Sequence, residues 1–515
     1  MKTPKKSLQE ISHDFKRLAR SKKVKGVILQ IGNLDMPFSR VQGLRDLISM
    51  LQEEGKEVIV WASSYTTQSY YLALAADRIL LQEGGVVHSL GFNSKQLYMK
   101  KALDWAGLEF DVVQITPYKS AMERFTRSQM SEEVKEMQSW LLDSFYEQFS
   151  KTVASRRGLE PEKVEDFIQK SPFIGEQILE NEVVDDFINL DDLPGYLGTE
   201  DKPARLSHWD ECKNNFTSLP PAKPGGYIAV LRVQGNIVDG KSQRPPASPP
   251  VPFPFLFNEQ TGDLTFTTEA RRVLKDKRAK GVLLYIDSGG GSATSSEAMS
   301  AALQKIADKK PLVAYMGSVA ASGGYYVATP ASYIVAHPGT ITGSIGVISA
   351  RIVNSKLLEK LLLNRESLQR GQKDLFDIAD KPFDEEERKT AMHFIENVYE
   401  LFLKRVAESR GSTSDNIDKV GGGRVWTGEQ ALEHGLIDDL GGLEKALSKL
   451  REIAKLPPST PVREFPPPKK NLSPLPTPES WIEHSLSNIS LFKRPGALLS
   501  SPLFLYQNPE KDWNN

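Results

Sequence analysis

The stretch KGVLLYIDSGGGSA, Lys280 to Ala293, decides how the chain is read, because its first half occurs twice and its glycines only once. KGVLLYI at Lys280–Ile286 repeats KGVILQI at Lys25–Ile31, an offset of 255 residues (280 less 25). The same offset carries Tyr70 and Tyr71 onto Tyr325 and Tyr326, and Gly91 onto Gly346, without a gap. Further on, FIGEQILENEVVDD at Phe173–Asp186 meets WTGEQALEHGLIDD at Trp426–Asp439, with the offset reduced to 253 (428 less 175). Register kept over that distance identifies two copies of one unit.

Each copy alternates short β-rich apolar segments with amphipathic helices: VKGVILQI, a helix from about Ser39, EVIVWA, a helix around Tyr70, then RILL. That alternation predicts α/β units around a mainly parallel sheet. A long helix follows in each copy. Val134, Met137, Leu141, Phe145 and Phe149 recur at three- and four-residue steps in the first, and Phe394, Val398 and Phe402 in the second, so both stripes are expected to pack. The expected organisation is a first repeat over 1–199, a linker over 200–224 rich in proline, glycine and aspartate, a second repeat over 225–455, and a proline-rich tail over 456–515. RPPASPPVPFPF, Arg244–Phe255, is expected as an extended loop, and the tail as disordered or extended up to its weakly apolar ALLSSPLFLY. The strand-like GGYIAVLRVQGNIV from Gly225 has no counterpart in the first copy, which therefore starts in mid-unit. Either a first strand has been lost, or the natural start lies upstream, where a membrane anchor could also have been.

At 515 residues the chain exceeds what one hydrophobic core supports, which agrees with two domains. A formal net charge of -1 gives no global attraction to nucleic acid, so nucleic acid is not an expected partner. The single cysteine, Cys212, excludes an intrachain disulfide. The N-terminal thirty residues are basic at first but do not read as a signal peptide, and no run approaches the roughly 18 to 20 apolar residues of a spanning helix. As written, the chain reads as soluble or peripheral.

The differences between the copies locate the chemistry. Gly289, Gly290 and Gly291 fall opposite Leu34, Asp35 and Met36; Ser322 falls opposite Thr67, and Gly323 and Gly324 opposite Gln68 and Ser69. Either feature alone could be an ordinary turn or helix start. Their joint presence in one copy fits an oxyanion site, in which a serine at a helix start, with the N–H that follows it, faces the N–H groups of a strand-end glycine loop. A phosphate site fits less well, because GGGSATSSE lacks the P-loop lysine and the dinucleotide spacing.

A nucleophilic serine needs a base. His337 in VAHPGT falls opposite Gln82 and could complete a Ser-His-Asp arrangement, although its place beside Pro338 suits a structural turn. The competitor is Lys119 in ITPYKSAMERF, an isolated lysine after the strand-like FDVVQI. Most lysines in such a context are solvated surface charges.

YKSAMERF in the first half, with SGGYYVA and TGSIGV in the second, resembles the signal peptide peptidase A (protease IV) family in its long, duplicated form, over about Lys25 to Leu450. The resemblance implies two tandem Clp-protease/crotonase-like α/β domains and a serine endopeptidase with a Ser-Lys dyad assembled across the two halves. Carried over by motif, Ser322 is the nucleophile, Lys119 the general base, and Ser344 the residue that orients the lysine amine. Gly323 and either Gly290 or Gly291 supply the oxyanion N–H groups. Neither metal nor cofactor is implied. Gly289 stands where the family often has proline, which would leave the loop freer. The lysine must be largely neutral to accept a proton, and closing of the second domain over the first is expected to bury it. Neither half should then work alone, since the second has only Lys373 near the equivalent place.

The resemblance further implies signal peptides or other extended apolar peptides as substrates, association with a membrane on the non-cytoplasmic face of the inner membrane or in thylakoids, and a homo-oligomer, a tetramer, whose bowl encloses the active sites. Two rivals keep the fold: a crotonase-like acyl-CoA enzyme, and a catalytically inactive scaffold homologue.

Overall fold

The duplicated strands fold into two separate sheets in the structure, a computed structural model that describes residues 8–199, 201–216, 225–243, 259–368, 370, 371, 375, 378–465 and 498–500. The compact units do not follow chain order. One comprises Met1–Asn93 and Leu142–Lys223, the other Ser94–Leu141 and Pro224–Asn515.

In the first unit, β1 (Gly26–Gln30), β2 (Glu57–Tyr65) and β3 (Arg78–Val87) pair in parallel. Side chains alternate across a strand, and β2 shows why EVIVWA reads as continuously apolar. Val58, Val60 and Ala62 enter one core, Ile59 and Trp61 a second core on the opposite face, so both faces are covered. Glu109–Gln114 (β4) belongs to the other unit. Phe173–Ile174 (β5) and Asp186–Phe187 (β6) complete the first sheet against β3.

The second unit repeats the scheme with longer counterparts of β1 and β2. β7 (Tyr227–Val238), with β8 (Gln260–Gly262) at its edge, pairs in parallel with β9 (Ala279–Ser292), β9 with β10 (Leu312–Ala321), and β10 with both β11 (Tyr333–Ala336) and β12 (Ile341–Gly343). Ile348–Val353 (β13) pairs antiparallel with β4, and Val425–Thr427 (β14) antiparallel with β12. Asp439–Leu440 (β15) joins β11, Val462–Glu464 (β16) joins β7, and Leu498–Ser500 (β17) lies antiparallel to β9 and β13. β7 has no counterpart among the described strands of the first unit.

The duplication extends to individual polar contacts. Tyr70 donates its hydroxyl to Val183 O at 2.8 Å, as Tyr325 does to Leu436 O at 2.6 Å. Asp185 accepts from Ile79 N and pairs with Arg157, while Asp438 accepts from Ile334 N and pairs with Arg410. A buried tyrosine hydroxyl needs an acceptor, and the same carbonyl provides it in both units.

Of the expected helix stripes, Val134, Met137 and Leu141 pack with Val425 in the second unit, and Phe149 lies in the core of the first. The stripe of the helix Glu385–Arg410 departs from expectation. Its buried face runs through Ala391, Ile395, Tyr399, Phe402 and Val406, and Phe394 is exposed, because the core contacts one face and Phe394 lies a third of a turn off it. The proline loop Arg244–Phe255, Lys373, and the tail at 466–497 and 501–515 lie outside the described residues. Among the described residues no helix is long and apolar enough to cross a membrane.

Candidate active site

Ser322 follows the end of β10 in a backbone conformation that ordinary side chains avoid. Its φ of 56° and ψ of -118° place it at the N-cap of the short helix Gly323–Tyr326 without any side-chain cap. The first unit shows what an unspecialised version looks like. There Thr66, at φ -96°, caps the equivalent helix through a reciprocal bond with Ser69, leaving no strained residue. A strained, non-glycine residue persists only where the surroundings over-determine it. Here Ser322 N donates to Gly343 O at 2.8 Å and Ser322 O accepts from Tyr326 N at 2.8 Å, which frees the hydroxyl for other work.

That hydroxyl meets Lys119. Nζ lies 2.6 Å from Ser322 Oγ, 2.8 Å from Ser344 O and 3.1 Å from Ser344 Oγ, with all three residues buried. Burial alone pushes the Lys119 amine well below the ordinary lysine value, since no charge among the described residues offsets it. A neutral amine carries two N–H donors and one lone pair. Two oxygens of Ser344 can take the donors, and the Ser322 O–H can donate to the lone pair. Ser344, itself at φ 51°, is tied by its N–H to Arg424 O at 2.6 Å.

Lys119 reaches this place by strand addition rather than by closure of one domain on another. β4 pairs along β13 from Gln114 to Glu109, Ile115 N donates to Val347 O at 3.0 Å, and the chain turns so that Lys119 N donates to Thr116 O at 3.1 Å. The segment Ser94–Leu141, which holds Lys119, is thus part of the same compact unit as Ser322. The expected domain closure is not what buries the lysine; backbone pairing of an N-terminal segment with the second sheet does.

The glycine run is held, not loose. β7 pairs Asn236 with Gly290 and Ile237 with Gly291, and a Cβ on Gly291 would lie 2.0 Å from Ile237 O. Ser288 Oγ donates to Gly235 O at 2.6 Å and accepts from Gly290 N at 3.1 Å; Ser292 Oγ donates to Asp239 at 2.9 Å. These ties hold Gly290 and Gly291 against β7 without a proline at Gly289. Gly323 faces this run: a Cβ there would lie 3.1 Å from Gly290 Cα and 3.3 Å from Gly291 N.

His337 is elsewhere. His337 follows Ala336, which pairs with Met316, six residues before Ser322, while the Ser322 hydroxyl is met by Lys119. Its ring sits edge-on to Tyr315, and burial lowers its pKa to about 4.

Two features escaped the sequence reading. Gly346, shared by both copies and read as packing alone, leaves room for the Lys119 side chain: a Cβ there would lie 3.3 Å from Lys119 Cδ. Gly423, in the run Gly421–Gly423, packs against Lys119 beside Gly346, whose added Cβ would lie 2.8 Å from Gly423 N. Gly423 has φ 90°, and a Cβ on it would lie 2.6 Å from both Lys119 N and Cα. The signal was available, because the offset of the second anchor sets these glycines opposite Ile168, Gln169 and Lys170. Gly423→Ala should therefore reduce turnover at least about 100-fold, the cost of misplacing a reacting group by an ångström. A far-ultraviolet circular dichroism spectrum like the wild type's would assign the loss to Lys119 rather than to unfolding.

Comparison with known proteins follows this geometry. The sequence profile described as Peptidase family S49 matches residues 50–200 and 304–457, one stretch in each copy. The chain is 33% identical over 462 residues to "Serine protease SPPA, chloroplastic" of Arabidopsis thaliana, a match covering 88% of this chain and 66% of that one. It is 31% identical over 470 residues to "Protease 4" of Salmonella typhi, covering 87% and 72%. A shorter match, 36% over 239 residues, joins 45% of the chain to 65% of "Putative signal peptide peptidase SppA" of Enterococcus faecium. With both copies matched by one profile, and most of the chain aligned to proteases, one of them named a serine protease, the chain belongs to peptidase family S49 as a serine-type peptidase.

Proposed function

We propose that the chain is an endopeptidase with a Ser-Lys dyad, acting on extended apolar peptides such as signal peptides left in a membrane. The observation that carries this reading is the Lys119 amine, buried, pushed by that burial well below the ordinary lysine pKa, and held between Ser322 Oγ and the two oxygens of Ser344. In the reading, neutral Lys119 takes the Ser322 proton as Oγ attacks the scissile carbonyl. The N–H groups of Gly323 and of Gly291, or of Gly290 on leaving Ser288 Oγ, stabilise the resulting oxyanion. Lys119, now an ammonium held by Ser344, returns the proton to the leaving amine. Water then hydrolyses the acyl-serine by the same route, with Lys119 again as base.

The setting and the relatives' names support this substrate class. A glycine loop at the end of a strand binds a peptide through backbone pairing, which favours extended chains irrespective of sequence. We infer further that both units have the Clp-protease/crotonase fold, that the protein works at a membrane surface, and that it assembles as a homo-oligomer.

The test is the reaction of the protein with a serine-directed fluorophosphonate alongside hydrolysis of a fluorogenic apolar peptide. Labelling confined to the peptide containing Ser322, together with peptide hydrolysis that falls as labelling rises, is the expected result. Turnover of an acyl-CoA thioester without labelling would replace the reading by acyl-transfer chemistry. Inertness to both reagents would make the chain a scaffold.

A further inference from the structure

Arg424 joins the two parts of the chain that hold the lysine amine. Its carbonyl accepts the Ser344 N–H at 2.6 Å, and Ser344 in turn offers both its oxygens to Lys119 Nζ. Its guanidinium lies over the ring of Tyr118, the residue before Lys119, with Cζ 4.1 Å from the ring centroid, while Nη1 donates to Gly421 O at 3.2 Å. Tyr118 also stacks on Trp140 at 6.3 Å, Trp140 stacks on Trp426 at 4.7 Å, and Trp140 Nε1 donates to Val425 O at 2.8 Å. The first unit is built differently at this place. There Ser171 stands opposite Arg424 (424 less 253) and uses its side chain on Leu90 N at 2.8 Å. In the second unit a main-chain carbonyl holds the matching turn, and the side chain is released to reach Tyr118.

We propose that Arg424 is a positioning residue of the dyad: through Tyr118 and Ser344 it fixes where the Lys119 amine stands against Ser322 Oγ. The inference rests on the proposed reading of Ser322 as nucleophile and Lys119 as base. A lysine is a point charge on a flexible stem, so its amine is placed only as well as its backbone and its hydrogen-bond partners are held. Here the backbone is the turn Thr116–Lys119, closed by Lys119 N to Thr116 O at 3.1 Å and tied to the glycine run by the Thr116 hydroxyl on Gly422 O. Tyr118 is half-buried on that turn, and a planar guanidinium grips its ring face while still donating in its own plane, which an ammonium cannot do. A base takes a proton only within hydrogen-bond reach, so a small shift of this turn is felt in the rate before it is felt in peptide binding.

The experiment uses the full chain, a fluorogenic apolar peptide as substrate and a fluorophosphonate as probe of Ser322. Arg424→Gln keeps the carbonyl bond to Ser344 and removes the stacked cation. It should lower kcat by about 10- to 100-fold with KM within about twofold, and slow the labelling of Ser322 to match. Tyr118→Leu breaks the same contact from its partner and should show the same pattern, while Tyr118→Phe, which keeps the ring, should recover most of that loss. Because the two residues act through one contact, Arg424→Gln/Tyr118→Leu should be no slower than the slower single variant. Wild-type kinetics in Arg424→Gln, a raised KM with kcat unchanged, or losses that multiply in the double variant would each overturn the proposal. Should Arg424→Gln not fold, Tyr118→Leu and Tyr118→Phe decide, and equal rates in the two overturn it. A wild type that neither hydrolyses the peptide nor takes the label would sink the peptidase reading, and the inference with it. A labelled wild type matched by Arg424→Gln in labelling rate sinks the inference alone.

Discussion

Ser322→Ala should lower kcat for peptide hydrolysis by about 10,000- to 1,000,000-fold and leave KM within about twofold, as loss of a nucleophile does in serine proteases generally. The oxygen removed is the only reacting atom of the residue. The backbone that pairs with a peptide and supplies the oxyanion donors stays, because Ser322 already has a Cβ and alanine adopts the same φ of 56° at no greater cost. The fold should not suffer either: no cap bond is lost, since the Ser322 side chain makes none to its own helix. Because Ser322 and Lys119 act as one unit, the double variant Ser322→Ala/Lys119→Ala should be no slower than either single one. Steady-state kinetics of the three proteins check this. A double variant slower than both by the product of the two losses would mean that the residues act in separate steps.

The repeat was legible because it rests on local patterning. Apolar runs such as EVIVWA and KGVLLYI have their periodicity written in the residues themselves, and each copy forms its parallel strands where the pattern places them. The exchange of Ser94–Leu141 into the second unit was not legible. β4 joins β13 through main-chain hydrogen bonds that any sequence can make, and its EFDVVQ looks like any half-buried strand. The proposed nucleophile and oxyanion glycines were found by comparing copies, a test that works wherever specialisation has altered one of two related sites. The same test applied to Gly421–Gly423 would have found the glycine that packs against Lys119. Lys119 itself had no local signature, and only the family resemblance raised it above a surface lysine. What makes it unusual is its burial by residues some 200 positions away in sequence, such as Ser322 and Ser344.

Lys119→Met should reduce turnover by about 10,000-fold or more and, near neutral pH, make the protein more stable. Both effects follow from the same burial. A methionine fills nearly the volume of the lysine stem but requires no desolvation of charge. Lysine in the unfolded chain is protonated up to ~10.4, whereas burial holds the folded amine well below that value. Between the two, the unfolded state binds more protons than the folded one, so wild-type stability rises with pH by up to about 1.4 kcal/mol per unit. The deficit relative to Lys119→Met should thus be largest in acid and shrink as pH approaches ~10.4, which urea denaturation at pH 6, 8 and 10 measures directly. Activity should move in the same direction for the same reason: kcat/KM of the wild type climbs as the amine loses its proton and reaches its plateau below the free lysine value. Lys119→Arg separates charge from basicity, since a guanidinium does not deprotonate in a protein, and it should be inactive across the whole range. A wild-type profile that still rose steeply beyond pH 10, or a stability difference from Lys119→Met that did not change with pH, would mean that the amine keeps its ordinary pKa in the folded state and that the proton acceptor lies elsewhere.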